Sequence, residues 1–106
     1  MPELPHDVED MKLAPVALHL EDRLRELSGL SPREMRLRVA LDTNHGLDDV
    51  EHRSRAMLDT IARDIPLGAW QLGWEDRGLR LQHGVHRLVL GVPASVTAFV
   101  AGSHDG

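Results

Sequence analysis

LDDVEHRSRAMLDTIARDI, residues Leu47 to Ile65, reads as one amphipathic helix with legible ends. At about 100° per residue, Leu47, Val50, Met57, Leu58, Ile61, Ala62 and Ile65 fall within one arc, while His52, Arg53, Arg55, Ala56, Asp59 and Arg63 point elsewhere. Asp48 is the expected N-cap, Glu51 stands three residues on in a variant of the capping box, and Pro66 ends the helix. An apolar stripe of this width needs a sheet or another helix to cover it.

Downstream of Pro66 the periodicity becomes that of a strand. Trp70, Leu72 and Trp74 alternate with Gln71, Gly73 and Glu75, a pattern that favours core packing of both tryptophans over a ligand-stacking platform. Asp76-Arg77-Gly78 is a turn, and Leu79 and Leu81 then alternate with Arg80 and Gln82. His83-Gly84 is either a tight turn or a bulge in one long strand. His86 to Val92 and Ser95 to Ala101 read as two more strands around Val92-Pro93-Ala94-Ser95.

Upstream, Pro15 suits the first position of a helix on which Val16, Leu20, Leu24 and Leu27 share a face. Gly29 followed by Leu30 has the form of a left-handed C-terminal cap, and Leu18 falls off the apolar face. Ser31-Pro32-Arg33-Glu34 is a capping-box signature. The residues after it argue for a strand instead: Met35, Leu37, Val39 and Leu41 alternate with Arg36, Arg38 and Ala40. At most one helical turn is expected before that strand, and Asp42 to Gly46 is a loop.

The expected order is helix, strand, helix and a meander of three or four strands. That is an α+β two-layer sandwich, with two helices on one face of a four- or five-stranded antiparallel or mixed sheet. One domain, residues 13–101, is expected between a mobile acidic segment, residues 1–12, and a mobile polar tail, residues 102–106. The chain of 106 residues is 42% hydrophobic and 27% charged, an ordinary globular balance that argues against wholesale disorder.

Composition also narrows function. With no cysteine, disulfides, thiolate catalysis and Cys-ligated metal centres are excluded. A formal charge of −5 argues against a bulk electrostatic grip on nucleic acid, and no aromatic is interleaved with the arginines as in sheet-based RNA readers. No apolar run is long enough to span a bilayer and the N-terminus is acidic, so a cytoplasmic protein without membrane contact is expected. Twelve cations that include a single lysine, Lys12, suggest a GC-rich bacterial genome. No serine lies in a nucleophile-elbow context and no Gly-rich phosphate loop precedes a helix.

The richest chemical cluster is DTNHGLDDVEH, Asp42 to His52, where Asp42, His45, Asp49 and His52 offer oxygen and imidazole ligands for a divalent metal. This would suit a metal-dependent hydrolase or nuclease. The competing reading is structural: a capped helix start followed by acid-then-base pairs at i,i+4, Asp48/His52, Asp49/Arg53, Glu51/Arg55 and Asp59/Arg63. MRLRVALDTN, Met35 to Asn44, resembles the opening strand of PIN-domain nucleases, in which an Asp at the strand end binds a catalytic metal. That resemblance covers ten residues and carries only Asp42, because past Asp64 the acids are Glu75, Asp76 and Asp105 alone. The same loop is similar to a calcium-binding EF-hand loop, but its glycine comes one position early and Arg53 replaces the closing glutamate. His83 and His86 flank Gly84-Val85 as a weaker pair of ligands.

The leading expectation is a non-enzymatic interaction domain with no cofactor, binding an unidentified protein and forming a homodimer through its C-terminal strands. Two apolar strands at the C-terminus exceed what two helices can cover. Leu88, Leu90, Val96, Ala98, Phe99 and Val100 would then supply affinity, and Arg36, Arg38, Arg80 and Arg87 orientation.

Overall fold

A computed structural model describes residues 4–102, with side chains from residue 15 onward. Its order is α1 (Leu4–Ser28), α2 (Pro32–Asp42), α3 (Val50–Ala62), β1 (Gln71–Glu75), β2 (Gly78–His83), β3 (His86–Gly91) and α4 (Ala94–Ala101). The class is α+β, as the periodicities imply. Two elements differ from expectation, so the described residues hold four helices and a three-stranded antiparallel sheet. The mobile ends expected from composition fall partly outside the described residues, at 1–3 and 103–106.

α3 is the central element. Ala56, Met57, Thr60 and Ile61 are buried along it, and it packs against α1, α2, α4 and β1. Met57 and Ile61 of α3 each contribute about 1.5–3 kcal/mol by their burial. Its cap is Asp49, one residue later than expected, with Oδ1 accepting from the His52 N–H at 2.8 Å. Val50, the second residue of the expected stripe, is exposed. Leu47, Leu58 and Ile65 pack against the core from its margin.

Residues Met35 to Leu41 belong to helix α2, which corrects the strand expected there. Alternation over seven residues places Met35 and Val39 four apart, and that spacing also lines one side of a helix. Both are buried, whereas Leu37 and Leu41 stand in solvent. The capping box settles the competition locally: Glu34 N–H donates to Ser31 Oγ, Ser31 N–H donates to Glu34 Oε1, and Pro32 opens the first turn. With this helix in place, the likeness to the first strand of a PIN domain has no structural counterpart.

Ser95 to Ala101 likewise lies in a helix, α4, and not in a strand. Val96 and Phe99, three apart, are buried against the other helices. Pro93 stands at its N-cap and Gly102, with φ 81°, ends it in the left-handed conformation. The apolar surplus at the C-terminus is therefore largely housed within the chain.

α1 begins at Leu4, so Pro15 lies inside the helix and does not open it. Val16, Leu20, Leu24 and Leu27 are its buried face, as expected, and Leu18 is exposed. Gly29 is not left-handed; the helix closes by short bonds from the Gly29 and Leu30 N–H groups to the Glu26 and Leu27 carbonyls.

The sheet is a meander of order β1-β2-β3. Gly84-Val85 is a two-residue turn that joins His83 to His86, with Gly84 at φ 62°, so the turn and not the bulge is correct. Asp76 takes φ 53° in the first hairpin turn, a conformation Asp tolerates better than most residues. Cross-strand rows Leu72–Leu81–Leu88 and Trp74–Leu79–Leu90 face the helices. On the opposite face lie the rows Gln71–Gln82–Arg87 and Gly73–Arg80–Val89. Gly78 has no room for a side chain, since an added Cβ would lie 2.5 Å from Val89 Cγ1 and 3.1 Å from the Leu90 carbonyl oxygen.

Candidate functional site

The four residues of the expected metal set are drawn into three separate pairs, Asp49 with His52, Asp42 with Arg63 and His45 with Asp59. Asp49 caps α3 and its Oδ1 lies 2.8 Å from His52 Nδ1. The backbone N–H of His52 is the main cause holding the Asp49 carboxyl below its ordinary pKa, with the His52 side chain second. Asp42, at the end of α2, faces Arg63 Nε at 3.5 Å. His45 Nε2 lies 3.0 Å from Asp59 Oδ2, and the same oxygen accepts from Thr43 Oγ1 at 3.2 Å. Among the described residues no group of three or more His, Asp or Glu side chains converges as a metal site would require.

The Asp42–Arg63 and His45–Asp59 pairs line an open polar depression of about 490 Å³, bordered also by Leu41, Thr43 and Asn44. Asp59 and Arg63 were read as an i,i+4 pair with each other; instead Asp59 ties down the 43–45 loop and Arg63 engages Asp42. Glu51/Arg55 does form its expected contact, at 3.6 Å. Arg53 turns inward and donates to the Val100 and Leu47 carbonyls, which fastens the end of α4 to the start of α3.

The expected interaction set is dispersed over the molecule. Val96 and Phe99 are core residues of α4, Leu88 and Leu90 face the helices, and Ala98 and Val100 are half-buried. Arg36 is exposed on α2, and Arg38 is ion-paired with Glu26 at 2.6 Å. Only Arg80 and Arg87 remain together, on the outer face of the sheet. Arg87 meets Glu75 at 3.2 Å, and the Arg80 guanidinium lies across Gly73, its Nε buried without a hydrogen-bond partner among the described residues.

Between them in the pleat is Val89, 43% exposed, a residue the sequence reading did not single out. Its signal was present: it is the off-phase apolar residue of a strand whose other face is already apolar. His83 and His86 stand opposite each other beside the turn, and the His83 ring meets Trp70 edge-on with centroids 5.3 Å apart. Beside them an apolar depression of about 360 Å³ opens between α1 and the loop before β1.

No described helix is long and apolar enough to cross a membrane. No protein-family model matches the chain, and no curated protein or solved structure matches it significantly. Function therefore has to be argued from the surface itself.

Proposed function

We propose that the protein is a small non-enzymatic interaction domain that self-associates through the exposed side of its hairpin sheet, with the helices as a self-contained support. The observation that carries this reading is the position of Val89, an exposed apolar side chain in the middle of β3, on the open face and at the free margin of the sheet. A strand in that position without proline or bulge leaves its edge open to pairing with another chain, and Arg87, the arginine along it, is ion-paired with Glu75. Arg80 and Arg87 frame the patch and set its orientation.

Sedimentation over a concentration series tests the reading. Wild-type protein is expected to shift from monomer toward dimer, Val89→Lys to stay monomeric with an unchanged circular dichroism spectrum, and Leu41→Lys, which alters another exposed leucine, to behave as wild type. Wild-type protein that remains monomeric at every concentration would overturn the proposal.

A further inference from the structure

We infer that the partner is a second copy of this chain, joined edge to edge along β3 in one antiparallel register centred on Val89. This rests on the self-association just proposed and specifies its geometry. In a hairpin closed by a two-residue turn, the flanking pair His83/His86 is hydrogen-bonded, and bonded and non-bonded pairs then alternate along the ladder. Leu81/Leu88 and Leu79/Leu90 are therefore the further bonded pairs with β2. The N–H and C=O groups of Arg87, Val89 and Gly91 point the other way, to the free edge. Among the described residues no loop or side chain bonds to the backbone of these three.

Three outward sites at equal spacing, with one at the centre, are complementary to themselves. Under a two-fold axis Val89 pairs with Val89 of the second copy, and Arg87 of each copy pairs with Gly91 of the other. No outward group is left unmatched, and the ladder gains bonded pairs at all three positions. The side chains agree with this register. Val89 meets its own copy on the outer face, and Leu88 lies across from Leu90 of the second copy on the inner face, so the leucine row continues through the axis. Charge agrees as well. Arg87 falls opposite a glycine, not another cation, and is already neutralised by Glu75 within its own chain.

The other edge is less suited. There the outward sites are Leu72 and Trp74, and Trp74 Nε1 donates to the Ser54 carbonyl at 3.0 Å, which holds β1 against α3. The second copy would thus extend a three-stranded sheet to six strands across β3.

Two variants of the full chain test this. Val89→Pro removes an N–H that bonds to nothing within the monomer, so the fold is expected to survive, while two backbone bonds at the axis are lost. Dimer dissociation should rise roughly tenfold or more. Because the chain has no cysteine, Val85→Cys gives a unique spin-label site in the exposed turn. In this register the two Val85 positions lie eight residue spacings apart, roughly 27 Å along the strand direction, a distance pulsed electron resonance reads.

A dimer with that separation, lost on Val89→Pro, supports the inference. A dimer that persists in Val89→Pro, or one whose labels lie far from that distance, overturns the edge pairing and leaves self-association standing. Wild-type protein that is monomeric throughout overturns both. If Val89→Pro does not fold, the label distance alone decides, since Val85 lies outside the paired stretch.

Discussion

Thr60 is fully buried near the end of α3, and its Oγ1 has no hydrogen-bond partner among the described residues. Its carbonyl oxygen, by contrast, accepts from Arg23 NH1 at 2.8 Å, and the same guanidinium reaches the Ile61 and Arg63 carbonyls. One arginine on α1 thus satisfies the carbonyl end of another helix. A buried hydroxyl without a partner is a cost that a methyl group of the same shape does not carry. Thr60→Val is therefore expected to stabilise the fold by about 1 kcal/mol, read as a higher urea midpoint at unchanged slope. A loss of stability would mean that the hydroxyl is bonded after all. None of this was legible in the sequence, where Thr60 was outside the apolar arc and Arg23 was one charge among many. Contacts between residues 37 apart follow from packing, not from local pattern.

At α2 and α4 punctuation proved more informative than periodicity, whereas at Pro15 and Gly29 of α1 the periodicity was the better guide. Ser31-Pro32-Arg33-Glu34 correctly announced α2, but the alternation after it, which also satisfies i,i+4 spacing at Met35 and Val39, pointed to a strand. α4 carried its own marks in Pro93 and Gly102, outweighed in the reading by its β-branched and aromatic residues. The caps of α2 and α3 have a pH consequence. The Ser31 backbone N–H is the main cause holding the Glu34 carboxyl below its ordinary pKa, as the His52 N–H does for Asp49. A carboxyl whose folded pKa lies below its unfolded value adds stability that is complete above the unfolded pKa and lost as pH falls through the folded one. Stability is expected to decline on acidification below about pH 5. Asp49→Asn keeps a capping oxygen but does not ionise, so its urea midpoint should depend less on pH across that range than wild type, while staying close to wild type at pH 7. Equal slopes for the two proteins would show that the cap charge is not linked to folding.

For the molecule as a whole, the class, the position of α3 and the Asp76-Arg77 hairpin could be read from the chain, because each rests on local periodicity and turn residues, whereas His83-Gly84 fitted a turn and a bulge alike. The size of the sheet could not, since it depended on the two ambiguous segments, and both became helices. The candidate site changed with them. Once Val96 and Phe99 moved into the core, the apolar set expected at an interface reduced to the neighbourhood of Val89. The metal set likewise resolved into a cap and a loop clasp, whose side chains are spent on holding the backbone.

The placement of α4 also bears on the order in which the chain acquires its structure. Each hairpin closes over two residues, whereas α4 docks onto α1 through contacts such as Ser95 Oγ to the Leu27 carbonyl, 68 residues apart. Loop-closure entropy favours the hairpins as early events and makes α4 docking a late one. Phe99→Ala, which removes a buried ring at a cost of about 3–5 kcal/mol, should then quicken unfolding and leave the refolding rate nearly unchanged in stopped-flow chevrons. The last helix would act as a latch on a nucleus built from the meander.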